Sequence, residues 1–233
     1  ERSLGLGAMG FHALLQSQGV PFKGLRATSI NNITFSRIKE KAVEATRRLA
    51  KERGEAPDIH GSNHRNAHLL AVAPNASSSI ICGGTSPSIE PYRANVYTHK
   101  TLSGSYQVRN RFLEKLFKKK GLTIDEREKL WKQIAIENGS VQNVDILDDD
   151  EKDIFKTAPE INQIYLVEHA HMRQEYICQS QSVNLFFSMP KATESQTVHD
   201  EYLQYVNDVH WYAMNKLKSL YYFRSDAARS AEN

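Results

Sequence analysis

The apolar residues of this chain fall into short periodic stretches, and each stretch predicts an element. Residues 4–18 mix glycines with Leu6, Met9, Phe11, Leu14 and Leu15, which predicts a buried helix whose glycines let a neighbour approach closely. After Asn32, the residues Phe35, Ile38, Ala42, Ala45 and Leu49 recur at three- and four-residue steps, with charges on the other face. That spacing predicts an amphipathic helix on a core, with Gly54 where a C-terminal cap belongs. Residues 69–73 are a short apolar run ended by Pro74, the pattern of a buried strand that hands the chain to a loop.

Further on, residues 106–108 suggest another short strand. Phe112, Leu113 and Leu116 begin a helix that stops at Gly121, and residues 125–137 form a second one closed by Asn138-Gly139. Pro159 suits the first position of a helix running through Glu175. Residues 183–187 read as a buried strand. Thr197 and Asp200 resemble a capping box opening a last helix, roughly residues 198–218, where Tyr202, Val206, Val209, Ala213 and Leu217 make one apolar stripe. Residues 219–223 read as a final strand, and the polar end, residues 225–233, is expected to fray.

Composition narrows the class only a little. The 233 residues, 40% of them hydrophobic, suffice for one sizeable core or two small ones. Lys and Arg total 30 against 27 Asp and Glu, a formal charge of +3, which implies neither a nucleic-acid nor a membrane partner in the absence of clustering. The one basic run, Lys118-Lys119-Lys120, suits a solvated helix end. No stretch approaches the ~20 consecutive apolar residues of a membrane span. Cys82 and Cys178 lie far apart without metal spacing, which argues against a disulfide framework and for a reducing, cytoplasmic setting. The acidic run Asp148-Asp149-Asp150-Glu151 is expected at a helix N-terminus rather than around a metal. His169 and His171, two apart on a helix, do not face each other and are not expected to share one either. A first residue of Glu1 suggests a fragment, a processed product or a trimmed chain.

Two segments are candidates for chemistry. Ala73-Pro74-Asn75-Ala76-Ser77-Ser78-Ser79 places small residues directly after a predicted strand. Small side chains let backbone N–H groups converge into a nest that binds phosphate. The segment has no Walker pattern, and by pattern alone it fits a Ser-rich turn as well as a phosphate loop. The second is Tyr221-Tyr222, between Leu220 and Phe223. Aromatic residues suit a strand core, yet paired phenols can also relay oxidising equivalents by losing an electron together with a proton. In a regular strand adjacent side chains point to opposite faces, so stacked rings require an irregular backbone here. Cys82, with no sequence-local base, is expected to be buried and structural.

Several segments, in one order, resemble the large subunit of class I ribonucleotide reductases. Leu4-Gly5-Leu6-Gly7 is similar to the family's glycine-containing helix start, and Ala73-Pro74-Asn75-Ala76-Ser77-Ser78 to its substrate-phosphate loop. Ser88-Ile89-Glu90-Pro91-Tyr92 and Asn95-Val96-Tyr97 resemble the segment after it. Leu102-Ser103-Gly104, Asn138-Gly139-Ser140-Val141-Gln142 and Gln179-Ser180-Gln181-Ser182-Val183-Asn184-Leu185 follow, and Leu220-Tyr221-Tyr222-Phe223-Arg224 resembles the radical-transfer tyrosine pair.

The resemblance covers nearly the whole chain and implies an α/β fold: the later portion of a ten-stranded α/β barrel plus C-terminal helices. Residues 1–68 are then expected to be mainly helical, residues 69–190 to carry barrel strands and helices with the phosphate loop, and residues 191–233 the last helix and the tyrosine-pair strand. The implied reaction replaces the 2′-hydroxyl of a ribonucleoside diphosphate with hydrogen. Pro74, Asn75, Ala76, Ser77 and Ser78 would hold the substrate diphosphate, and Tyr221 and Tyr222 would relay the radical. No cofactor is expected on this chain. The radical would come from a metal-containing small (beta) subunit, whose tail in the family docks near the last helix, whose apolar stripe equally fits packing on the chain's own core. Reducing equivalents would come from a thioredoxin- or glutaredoxin-type protein. The catalytic cysteines would lie on an N-terminal portion or a separate chain, and a large-subunit homodimer is expected. The alternative is a non-catalytic nucleotide- or phosphate-binding module, or a structural one.

Overall fold

The computed structural model describes residues 1–102 and 104–225. Ser103 of the Leu102-Ser103-Gly104 segment, and residues 226–233 of the end expected to fray, lie outside the described residues. The chain forms two compact units. One comprises Glu1–Ala8, Thr28–Pro74 and Asn162–Asn233, and the other Met9–Ala27 and Asn75–Ile161.

The first unit is organised by extended segments that run parallel to one another. Leu6 bridges Leu70, and Val72 bridges Gln181, both in parallel. Backbone bonds extend each contact: Leu4 N–H to His68 O and Ala71 N–H to Leu6 O on one side of the middle segment, Val72 N–H to Ser180 O and Ser182 N–H to Val72 O on the other. Farther along, Tyr221 N–H donates to Val183 O and Leu185 N–H to Tyr222 O. In the described sheet that follows, Leu185–Phe187 pairs in parallel with Phe223–Ser225. Parallel neighbours need long crossovers, and helices supply them: Leu25–Arg53 precedes the middle segment, Gln163–Gln174 precedes residues 179–187, and Gln196–Met214 leads to the last strand.

The glycines near the start correct the predicted helix over residues 4–18. Only Phe11–Ser17 is helical, and we call it α1. Residues 4–7 are extended and exposed, and a Cβ on Gly7 would lie 2.7 Å from the Ala71 carbonyl oxygen. The glycine does permit close approach, but of a neighbouring extended segment. Gly10, at φ 84°, then turns the chain into α1.

Helix α2, Leu25–Arg53, starts well before the predicted Asn32. The polar run at its beginning reads as non-helical, but Asn31 is buried and its side chain is satisfied by tertiary partners. Its amide donates to His169 O at 3.0 Å, and its oxygen accepts from Arg173 at 2.9 Å. Phe35 is buried under the same Arg173 guanidinium, 5.4 Å from the ring centroid. Gly54, at φ 81°, closes the helix as expected, and the exposed Arg53 carbonyl accepts from Arg65 at 2.8 Å.

The second unit surrounds a core of Leu113, Phe117, Trp131, Ile134, Val141 and Val144, among others. The helix Ser78–Ile81, α3, is a single turn. A hairpin follows, β1 (Val96–Thr101) antiparallel to β2 (Gly104–Arg109). The sequence pattern indicated β2 but not β1, whose alternation of polar residues carries no apolar face. Helices α4 (Arg111–Lys119) and α5 (Ile124–Ile136) match their predicted spans closely. Asn110 caps the first, and a Thr123–Glu126 capping box opens the second. The acidic run opens α6, Asp149–Ile154, where the Asp148 side chain accepts from Glu151 N–H.

A single helix from Pro159 to Glu175 is not formed. A 3-10 turn, Ala158–Glu160, is closed off when the Glu160 carboxylate takes the Thr157 hydroxyl and N–H. Ile161 is extended, and Asn162 then caps α7, Gln163–Gln174. Helix α8, Gln196–Met214, is capped by Ser195 rather than by Thr197 and ends before Leu217. The final strand of its unit starts only at Phe223, which leaves both tyrosines outside regular structure.

Candidate functional site

The serine-rich loop begins where the Val72 segment ends. Asn75 adopts φ 50°, a left-handed conformation that Asn tolerates better than most residues. Its carbonyl accepts from Ser79 N–H at 3.1 Å, and the Ser79 hydroxyl donates back to Ala76 O at 3.0 Å. Ser79 is the buried member of the serine run. These bonds fold residues 75–79 into a tight turn leading into α3. Among the described residues, nothing accepts from the backbone N–H groups of residues 75–78, and the Ser77 and Ser78 hydroxyls are exposed and unbonded. Helix α3 is too short for its dipole to matter, so any grip on an anion here comes from individual amides and hydroxyls.

The tyrosine pair sits in the first unit. Tyr221 N–H bonds Val183 O, while Tyr222 N–H leaves the ladder and donates to the Asn184 side-chain oxygen at 3.1 Å. With that departure from regular strand geometry the two rings meet, their centroids 4.1 Å apart and their planes tilted at 52°. The rings are 48% and 52% exposed. Interaction with the neighbouring Tyr222 phenol, including repulsion from its phenolate form, holds the Tyr221 phenol above its ordinary value, and the Arg224 charge partly offsets this. Tyr221 therefore keeps its proton at neutral pH. The Arg224 guanidinium lies 5.3 Å from the Tyr222 ring centroid. Next in the chain, Phe223 stacks on Phe187 at 4.6 Å and on His210 at 5.6 Å.

Asn184 and Arg224 belong to segments that resemble the family, but only the fold shows what each touches. The stripe of Tyr202, Val206, Val209, Ala213 and Leu217 is covered, Val209 and Ala213 fully and the other three in part, and the nearby Tyr205 hydroxyl accepts from Gln163 N–H at 2.7 Å. Leu203, Trp211 and Met214 are exposed.

Cys82 corrects the expectation of burial. It follows the single turn of α3 and is exposed, as is Cys178, whose sulfur takes the Leu69 and Leu70 N–H groups. Among the described residues, no group of three or more His, Cys, Asp or Glu side chains could hold a metal ion, and no helix is long and apolar enough to cross a membrane.

The model of the ribonucleotide reductase barrel domain matches residues 1–65 and 58–223. The chain is 45% identical over 226 residues to the ribonucleoside-diphosphate reductase large subunit of Invertebrate iridescent virus 3, covering 97% of this chain and 34% of that protein. It is 30% identical over 264 residues to the large subunit of Caenorhabditis elegans, covering 99% of this chain and 32% of the relative. The chain thus spans about a third of the length of these relatives. Among solved structures, the Actinobacillus ureae class Id ribonucleotide reductase alpha subunit superposes with a TM-score of 0.79 at 38% identity, over 97% of this chain and 39% of that one.

Proposed function

The chain belongs to the ribonucleotide reductase barrel-domain family, and on that premise we propose that it is the C-terminal part of the large, substrate-binding subunit of a class I ribonucleoside-diphosphate reductase. The observation that carries this reading is the tyrosine pair: two phenol rings with centroids 4.1 Å apart, on a backbone that departs from the strand where the two meet. Such a pair is poorly explained as core packing, because both rings are about half exposed.

In this reading the amides and hydroxyls of Asn75 to Ser78, entered through Pro74, hold the diphosphate of the substrate. Their free donors suit the nonbridging oxygens of an anion. Tyr222 and Tyr221 carry the oxidising equivalent. Each phenol gives up an electron and its proton together, so no charge is left on either ring.

The overall reaction removes the 2′-hydroxyl as water, places hydrogen on the ring carbon and converts two thiols to a disulfide. Cys82 and Cys178 lie outside the family's active-site contexts, so the thiols belong to another part of the large subunit, in the same polypeptide or a separate one. A thioredoxin- or glutaredoxin-type protein regenerates them. The radical originates at the metal of a small subunit, the large subunit is a homodimer, and the setting is cytoplasmic. Residues 1–233 form one part of the barrel domain, ending in the last helix and the tyrosine pair.

The test is Tyr221→Phe and Tyr222→Phe in the complete holoenzyme. Both variants are expected to lose turnover while binding nucleoside diphosphate as before. Normal turnover in both would remove the relay, and retained nucleotide binding without reduction in the unaltered complex would leave a binding module.

A further inference from the structure

The loop assigned to the substrate phosphates has a brace on its downstream side, within the second unit. Thr85 N–H donates to Ser79 O at 3.2 Å, and Gly84 N–H to Ile80 O at 3.1 Å. Residues 84 and 85 thus tie directly to the turn whose amides are free. The Tyr92 hydroxyl holds the first of these residues, donating to Gly84 O at 3.3 Å.

Ser86, fully buried, is fixed from the other side by α1. Its carbonyl accepts from Gly10 N–H at 2.9 Å and its hydroxyl oxygen from Ala13 N–H at 3.1 Å. The serine thereby caps a helix that Gly10 leaves without a side-chain cap. Tyr92 is itself anchored, because its N–H donates to His12 Nδ1 at 2.9 Å and its ring lies against the His12 ring. Gly10 has no room for a Cβ, which would come within 2.6 Å of the Thr85 hydroxyl.

We propose that Tyr92 and Ser86 are positioning residues for the phosphate loop: together they lock residues 84–86 between α1 and the Tyr92 hydroxyl, and through Ser79 that lock fixes where the amides of residues 76–78 point. The inference rests on the assignment of substrate phosphates to this loop. Neither residue touches the anion. Their contribution is to remove alternative loop conformations, which would otherwise have to be ordered when substrate binds. A looser loop weakens the grip on the diphosphate without altering the radical relay, so the effect belongs in KM rather than in kcat.

The experiment uses the complete reductase holoenzyme and measures KM for a nucleoside diphosphate, kcat and the thermal midpoint for Tyr92→Phe, Ser78→Ala and their double variant. Tyr92→Phe keeps the ring and removes only the hydroxyl. It is expected to raise KM about 3- to 10-fold, the factor for loss of one or two net hydrogen bonds, with kcat moving less than twofold. In the double variant the two KM effects should combine to less than their product, because both act on one turn. Ser86→Ala, which removes the acceptor of Ala13 N–H, should shift KM in the same direction and gives the result independently if Tyr92→Phe does not fold. If Ser78→Ala raises KM while Tyr92→Phe and Ser86→Ala leave it unchanged, the brace is overturned and the phosphate loop stands. If Tyr92→Phe instead lowers kcat in step with the thermal midpoint, the role is only structural and the proposal fails. If Ser78→Ala itself leaves KM unchanged, the phosphate assignment fails and the brace with it.

Discussion

Lowering the pH from 7 to 5 should destabilise the second unit through one side chain, His12. It is fully buried on α1, and burial pushes its imidazole down from the ordinary 6.5 to about 3, against a smaller opposing contribution from a hydrogen bond to the Ile154 carbonyl. In the fold it is therefore neutral, with Nδ1 accepting from Tyr92 N–H. The sign follows from proton binding. Between pH 6.5 and 3 the unfolded chain carries the proton and the folded one does not, so stability is fully present above 6.5 and declines as the pH falls toward 3. With these two values the decline between pH 7 and pH 5 is about 2 kcal/mol, and over the whole window about 5 kcal/mol. Urea unfolding at the two pH values measures it. Trp131 is completely buried in the core of the same unit and reports by fluorescence in a Trp211→Phe background. His12→Asn retains an acceptor for Tyr92 N–H but does not titrate. Its loss between pH 7 and 5 should be smaller by most of that 2 kcal/mol. An equal pH dependence in His12→Asn and the parent would refute the reasoning, and would mean that His12 is already charged in the fold or that other histidines dominate.

Other substitutions test the packing around the two sites. Phe187 is buried among Tyr202, Tyr205, His210 and Phe223, so Phe187→Ala should lower unfolding free energy by about 3–5 kcal/mol and disturb the stacking of Tyr221 on Tyr222, seen as altered tyrosine fluorescence. Gly139→Ala would place its Cβ 2.4 Å from that of Ala94 at φ 87°, a clash and a strained backbone together, and should cost more than about 2 kcal/mol. Gly19→Ala is the control: φ is 63° with nothing within 4 Å, so only the conformational cost of about 1 kcal/mol remains. Denaturant midpoints compare the pair, and equal losses would show that the Ala94 contact is not constraining.

The parts of the fold that local chemistry decides were legible in the sequence. Helices α4 and α5 lie where periodicity and caps put them, because Asn110 and Thr123 satisfy their amides within a few residues. Strand β1 was not legible, since its partner β2 rather than its own pattern defines it. The early start of α2 depends on Asn31 finding His169 and Arg173, more than a hundred residues away. The irregular backbone required to stack the tyrosines was deducible from residue order alone. Its cause, the Asn184 side chain taking Tyr222 N–H out of the ladder, was not, because it depends on which strand lies alongside. Cys82 was misjudged for a similar reason: cysteine is usually buried, but here it follows one isolated turn of helix.

The parallel array has a consequence for the order in which the chain can fold. Residues 68–72 meet their two neighbours at very different times during synthesis. Residues 4–6 are already made, whereas residues 179–182 come more than a hundred residues later, after the whole of Asn75–Ile161. That intervening stretch, with Met9–Ala27, supplies a unit with a hydrophobic core of its own. It can therefore collapse while the middle segment still exposes an unpaired edge, which is a site for mispairing until the later segment arrives. The tyrosines come later still: their backbone geometry depends on Val183, Asn184 and Leu185 being in place, so the two rings meet only when that parallel pairing closes.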